Sequence, residues 1–497
     1  MQFHIPYHVY TEKYATKRLS LYNALYDSIV SGVLAVGTRL PSSRELAAMY
    51  QMSRGTVSQV YDMLSSEGYI AGGVGKGTFV AFQPLDGGAD HAPGRSEYLL
   101  ADWGERLNEL QGWKEEEAAG VQADGEWAVN FGARGTETAF PDKEWHRFLY
   151  AESRKLADPN RLRSRSRVST LGDDGLRESI AQYLRRTRGI AVDAQQIAIF
   201  NGSMQALALT AQLFINPGER VVVESPGYGG AVRAFQALGG VCLHAPVDSE
   251  GIIPVDWDAK LLFVTPNRQF PTGAVLSLER RQELLTWASR HNALIIEDDY
   301  DSEYRYRGKS LEPLKVLDRE ERVIYVGSFS NTLLSHVRIG YAVLPASLVR
   351  LYARAKALFD PYPCNLLEQR ALAAWMQSGE YERHLRRMKR MHGRKFKLLR
   401  EQLISRLSGL FGWVEGDAGL NLFGWWRGDG EDYLTYRLAC RKSGIYWPET
   451  SIQGEDGTAV RYGAYFRFPH LSEEQILYGV SKMEEVLSAL EGTLPKR

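Results

Sequence analysis

Cysteine is scarce in this chain of 497 residues. There are three, Cys242, Cys364 and Cys440, far apart and odd in number. They offer neither a disulfide framework nor the paired spacing of a metal site, and this usage fits a reducing cytoplasm. Net charge is also missing: 60 Lys plus Arg balance 60 Asp plus Glu, so overall charge selects no partner. No uninterrupted apolar run approaches the roughly 18 residues that span a bilayer. The opening MQFHIPYHVYTEKYATKR lacks the apolar stretch of a signal peptide. These absences predict a cytoplasmic chain without membrane contact. The length allows two or three domains and one large buried core.

What is present is organised in blocks. Residues 1–80 carry seven basic and five acidic side chains, a net of +2; residues 81–128 carry three and eleven, a net of −8. That change of sign marks a boundary. Within the first block a compact unit runs from about 19 to 80. Tyr22, Leu25, Tyr26 and Ile29 follow the spacing of a helix with one buried face. Ser42 and Ser43 cap a second short helix, and Ser53 caps a third holding Val57, Val60, Tyr61 and Leu64. Tyr69-Ile70 and Thr78-Phe79-Val80 read as two strands around a glycine-rich turn that contains Lys76. The acidic 81–128 stretch reads as a flexible linker, with one short helix where Trp103, Leu107 and Leu110 share a face. From 129 onward short apolar strands, beginning with Ile197 to Phe200, alternate with helical stretches. This alternation predicts a mostly parallel sheet covered by helices. After about 370 a smaller α+β subdomain follows.

Three helices and a two-stranded wing make a winged helix-turn-helix. Its third helix would enter the major groove of double-stranded DNA with its first residues on base edges. Those residues are Ser53, Arg54, Thr56 and Ser58. Arg54 can grip guanine in a bidentate fork, while Ser53 and Thr56 can hold phosphate or sugar. Arg44 would meet the backbone, and Lys76 would follow the wing toward the minor groove. The segment LPSSRELAAMYQMSRGTVSQVYDMLSSEGYIAGGVGKGTFV resembles the GntR family of bacterial regulators. A surplus of +2 gives one copy weak hold on DNA, because phosphate neutralisation drives most binding. A homodimer on a paired site is therefore expected.

The larger region carries a second set of residues. Asp298 ends an apolar strand, and Tyr300 follows two residues on, in EDDYDSEY. Tyr228 stands in SPGY, and TPNRQFPTG spans Thr265 to Gly273. Gly202-Ser203 leaves a strand and opens a helix, so its backbone amides can hold a phosphate. Ser328, Ser330 and Arg338 would close that cradle from the other side. An acid for a pyridine nitrogen, a phenol for its neighbouring oxygen, a ring to stack on and a phosphate cradle together fit pyridoxal phosphate.

On these motifs nearly the whole chain is similar to the MocR subfamily of GntR regulators. The resemblance implies an α/β fold: a winged helix-turn-helix, then residues 129–497 as an aminotransferase fold type I domain with a small C-terminal subdomain. It implies pyridoxal phosphate held as an aldimine, with Asp298, Tyr300 and Arg338 as cofactor residues and Arg467 as the effector-carboxylate residue. The sequence departs from the pattern twice. Asn331 stands at the position of the Schiff-base lysine and has no amine for an imine. Thr170 stands where a tyrosine reaches the partner subunit's phosphate. No catalytic residue is expected, and pyridoxal phosphate, if held, would be non-covalent. Three readings stay open: a regulator sensing pyridoxal phosphate or an amino compound, an aminotransferase with an accessory DNA-binding domain, and a dimeric repressor with no ligand. Two basic stretches read as structural surface: the alternating Arg161, Arg163, Arg165 and Arg167, and the helix face of His384 to Arg400, which buries Leu385, Met388, Phe396 and Leu399.

Overall fold

The computed structural model describes residues 3–73, 77–83, 99–110, 127–133, 135, 140–157, 169–308, 312–453 and 460–490. The chain divides into two units, residues 1–99 and 100–497. Lys76, the arginines at 161, 163, 165 and 167, and much of the acidic 81–128 stretch lie outside the described residues.

In the first unit the elements are α1 (Tyr7–Lys13), α2 (Lys17–Val30), β1 (Arg39–Leu40), α3 (Ser43–Met49), α4 (Arg54–Ser66), β2 (Ile70–Gly73) and β3 (Gly77–Val80). Side-chain caps set the helix starts. Ser42 and Glu45 form a reciprocal capping box at α3, and the Ser53 hydroxyl accepts from the Thr56 amide at 3.1 Å. Leu25, Ile29, Leu46, Val57, Val60 and Leu64 make the core, each fully buried. Two elements were not legible beforehand. β1 adds a strand to the wing, giving the order β1-β3-β2. α1 precedes the expected unit, with Ile5 and Tyr7 buried in its core. The Ile5 amide donates to the Tyr50 hydroxyl at 3.1 Å, so this polar-looking segment is tied down by contacts distant in sequence.

The second unit is built on eight strands: β5 (Ile197–Phe200), β6 (Arg220–Ser225), β7 (Val241–Asp248), β8 (Gly251–Ile252), β9 (Leu261–Val264), β10 (Leu294–Asp299), β11 (Val323–Ser328) and β12 (Gly340–Val343). Their order is β5-β12-β11-β10-β9-β6-β7-β8. β12 runs antiparallel to both neighbours and β8 antiparallel to β7; the other pairs are parallel. β5, β9 and β12 are buried at every residue, as strands covered on both faces must be. The expected short helix forms at Asp102–Glu109 and belongs to this unit, where Arg106 Nε donates to the Ala237 carbonyl at 3.0 Å.

The C-terminal subdomain adds β13 (Phe411–Trp413), β14 (Asn421–Trp426), β16 (Glu449–Gln453) and β17 (Val460–Arg467) in the antiparallel order β13-β14-β17-β16. A single 28-residue helix, Glu380–Leu407, packs on it and buries Met388, Phe396 and Leu399 as its spacing predicts, whereas Leu385 is only half-buried and His384 and His392 of the expected exposed face are buried. β4 (Val129–Asn130) pairs in parallel with β15 (Ile445–Tyr446), so the start of this region completes the core of its end. Phe131 meets Phe466 there, ring centroids 5.4 Å apart. Among the described residues no helix is long and apolar enough to cross a membrane.

Candidate effector pocket and nucleic-acid interface

The pocket grows from strand register. β11, β10, β9 and β6 are parallel neighbours, so their carboxyl ends, and the loops that follow, open on one edge of the sheet. That edge receives Ser328 from β11 and Asp298 from β10, and then the loops beginning at Thr265 and Pro226. Antiparallel β12 sits between β11 and β5, with Gly340 opposite both Ser328 and Phe200. The end of β11, the start of β12 and the end of β5 are thus level.

At the ring end, Asp298 is 6% exposed, and its Oδ1 has no hydrogen-bond partner among the described residues. Burial, then the neighbouring Asp299, Asp301 and Glu224 carboxylates, push it up to about 8. A buried acid without a cation is unfavourable, and its chemistry asks for a positively charged donor. The other acids of the cluster have partners. Asp299 pairs with Arg188 and accepts from the Tyr325 hydroxyl at 2.5 Å. Glu224 accepts from Thr265 Oγ1 at 2.6 Å and is itself pushed up to about 7 by burial. Glu297 accepts from the amides of Leu314 and Lys315, both at 2.8 Å. Aromatic rings line this end: Tyr228 and Tyr300 each meet Phe270 edge-on, at centroid distances of 6.0 and 5.7 Å.

At the phosphate end, helix Ser203–Phe214 begins at Gly202, whose φ is +81°. A side chain on Gly202 would run into the Arg338 guanidinium, which therefore lies against the helix N-terminus. A Cβ on Gly340 would come within 2.6 Å of the Gly202 carbonyl carbon, so both positions need glycine. Ser328 Oγ donates to Ser330 Oγ at 2.9 Å and accepts from the Ser330 amide at 3.2 Å. Backbone amides, hydroxyls and one guanidinium thus gather at a helix N-terminus, as an anion site requires. Asn365 pins this corner by donating to the Val337 carbonyl at 3.0 Å.

Asn331 Nδ2 donates to the Tyr300 carbonyl at 2.8 Å, and its own carbonyl accepts from the Tyr304 hydroxyl at 2.5 Å. Its side chain thus ties the loop after β11 to the loop after β10. Thr170 Oγ1 lies 3.5 Å from the Ala353 carbonyl. Arg467 ends β17, opposite Asn421 of β14, and its charge acts on Asp301.

Arg268 joins these parts and was not singled out from sequence. Its buried guanidinium donates to the Tyr300 hydroxyl at 2.9 Å, to Asp301 at 3.2 Å, and to the Asn421 side chain and carbonyl at 2.9 and 2.7 Å. The available signal was a cation inside TPNRQFPTG, just after an apolar strand. Asn421 carried no comparable signal. Asn267, in the same motif, holds a buried Nδ2 without a partner among the described residues. The residues present fit pyridoxal phosphate at both ends: an orphaned acid for the ring nitrogen and an anion cradle for the phosphate.

In the first unit, Ser53 and Arg54 open α4 and are exposed, as is Arg44 on α3, while Thr56 and Ser58 are half-buried. Arg54 Nε lies 3.4 Å from Ser43 Oγ, which lays its side chain toward α3. Ser53 Oγ is shared between the Thr56 amide and the Thr56 hydroxyl, 2.8 Å away. The start of α4 and the exposed side of α3 form one polar face.

Known proteins share both halves. The gntR family of bacterial regulatory proteins matches residues 17–80, and aminotransferase class I and II matches residues 152–480. The chain is 32% identical to the probable rhizopine catabolism regulatory protein MocR of Rhizobium meliloti, over 96% of this chain and 95% of that protein. It is 32% identical to the HTH-type pyridoxine biosynthesis transcriptional regulator PdxR of Corynebacterium glutamicum, over 76% of each. Among solved structures it resembles a Pyrococcus horikoshii kynurenine aminotransferase in complex with PMP, at 25% identity and a TM-score of 0.68, over 78% of this chain and 96% of that one. The chain belongs to the MocR-type regulators of the GntR family, transcriptional regulators that join a winged helix-turn-helix to an aminotransferase class I and II domain.

Proposed function

We propose that this cytoplasmic regulator binds its operator as a homodimer and senses pyridoxal phosphate, or an amino compound presented with it, without turning it over. The observation that carries the reading is Asp298: a buried carboxylate whose Oδ1 lacks a partner among the described residues and which burial pushes up to about 8. Pyridoxal phosphate would bring the pyridinium cation that this acid needs, and its phosphate would meet Ser203, Ser328, Ser330 and Arg338. When bound, the group supplies an aldehyde and an electron-withdrawing ring. Tyr228 would cover the ring, Tyr300 would donate to its phenolic oxygen with Arg268 holding the phenol in place, and Arg467 would take the carboxylate of an effector. Asn331 supports a binding role over catalysis, because its amide is spent on the Tyr300 carbonyl and cannot act as a base.

On DNA, Arg54 would read guanine, Ser53, Thr56 and Ser58 would contact the sugar–phosphate chain, and Arg44 and Lys76 would flank them. A ligand regulates only if it favours one arrangement of two such heads over another.

Titration with pyridoxal phosphate, read by absorbance and calorimetry beside an Asn331→Lys variant, tests the pocket. The expected result is heat without an aldimine band in the native protein and a band in the variant. Binding by neither protein would remove pyridoxal phosphate from the reading. Single-turnover conversion of an added amino acid by the native protein would favour an aminotransferase with an accessory DNA-binding domain. Gel shift with promoter fragments tests the other half. Arg54→Ala should weaken specific binding by about 1–3 kcal/mol, and unchanged affinity would remove Arg54 from the interface.

A further inference from the structure

Away from Asp298, the C-terminal subdomain carries a partly open cavity of about 210 Å³ between the second half of helix Glu380–Leu407 and strands β13 and β14. Its inner wall includes Leu403 and Phe411, both fully buried, and the half-buried Trp413. An apolar cavity of roughly 150 Å³ holds a benzene ring, so this one has room for a ring and a short chain. Two arginines, Arg400 and Arg427, and one acid, Glu415, also line it. Arg400 is half-buried and makes no side-chain hydrogen bond or ion pair among the described residues. Trp413 carries a buried indole N–H that has no acceptor among the described residues. A largely apolar cleft bordered by a cation without a partner among the described residues is complementary to an amphipathic anion.

We propose that this cavity binds a small apolar carboxylate, its ring or branched chain against Leu403, Phe411 and Trp413 and its carboxylate on Arg400 and Arg427. A free amino acid and an amine-free acid share this chemistry; in the first, the ammonium would face Glu415. The site is separate from the Asp298 pocket but sits on an element that reaches it. The helix that forms one wall also carries Tyr381 and His384, which hold Thr332 by contacts of 3.0 and 2.9 Å, one residue from Asn331. A ligand wedged against its far half therefore has a rigid route to the loop after β11.

Calorimetry on the full-length protein with 3-phenylpropanoate, L-phenylalanine and 3-phenylpropanol tests the proposal. At least one acid binds, and the neutral alcohol binds about tenfold more weakly or less, because it lacks the charge-assisted pair. Arg400→Gln, a half-buried change that should keep the wild-type melting midpoint, lowers acid affinity by about tenfold. Leu403→Trp, which fills the chamber, abolishes it. Preference for L-phenylalanine, lost in Glu415→Gln, assigns the amino acid; preference for 3-phenylpropanoate assigns the simple acid. Absence of binding by either acid at millimolar concentration, equal binding of the alcohol, or binding indifferent to Arg400→Gln overturns the proposal.

Discussion

In residues 3–83 the side chains at the front of the unit are sequence neighbours: Ser53, Arg54, Thr56 and Ser58 open one helix, and Arg44 sits on the helix before it. In residues 100–497 the candidate pocket draws on positions 202–203, 228, 267–270, 298–301, 328–338, 421 and 467, carried by both the large sheet and the C-terminal subdomain. The small unit exposes its polar groups and buries aliphatic side chains behind them. The large unit buries charge itself, with Asp298, Asp299, Asp301, Arg188 and Arg268 all less than a tenth exposed. A surface of neighbours depends on local helix geometry. A buried charged pocket depends on every strand keeping its register, since one unpaired polar group inside costs about 1–3 kcal/mol, more than a typical hydrogen bond returns.

The buried pocket is most vulnerable at Arg268. Arg268→Leu removes the cation beside Asp301 and leaves Tyr300 and Asn421 without their donor. A loss of about 3–5 kcal/mol in the stability of the large unit is expected, the scale for breaking a buried pair from one side. Chemical denaturation would read it, and a loss below 1 kcal/mol would mean the network is replaceable by solvent.

Leu25→Ala should destabilise the first unit by about 2–5 kcal/mol through a core cavity. Proteolysis and melting followed by domain should show early loss of α1–α4 with the large unit intact. A common shift of both units would mean that they melt together.

Asp298→Asn sharpens the contrast through pH. The folded carboxyl titrates at about 8 against an ordinary 3.8, so the folded state holds its proton more tightly. That contribution to stability is complete below about pH 4 and is lost as pH rises through about 8. The ligand-free asparagine variant should therefore gain on the wild type as pH rises from 5 to 9, while losing affinity for pyridoxal phosphate. Parallel melting curves across that range would show that Asp298 is not the titrating acid.

The smallest effect belongs to the helix start. Ser53→Ala removes the α4 cap, for a loss of about 1 kcal/mol. Ser53→Asp keeps the cap and adds a negative charge at the proposed DNA face. It should weaken DNA binding with no loss of stability, separating the two roles of this residue.

Much of this architecture was legible in the residues. The α4 start followed from Ser53 and the spacing of Val57, Val60, Tyr61 and Leu64, and the sheet followed from short apolar runs between helices. Asp298, Tyr300 and Arg338 stood out as candidates because each lies at or near the end of a strand in a recognisable motif. Arg268 was present in a motif but silent, because nothing local says that a cation will be buried. α1 and β4 were not readable: each is short and only partly apolar, and is held by partners such as Tyr50 and Ile445 that lie far along the chain.

By itself the sequence determined most of the elements and their caps, the two-part organisation and the kinds of side chain available, since these depend on periodicity and on neighbours within a few residues. Only the tertiary structure decided the antiparallel insertion of β12, the meeting of Arg338 with the helix at Ser203, and the latch from Arg268 to Asn421. Those outcomes rest on strand register and burial, which emerge when segments 136 to 153 residues apart compete for one core.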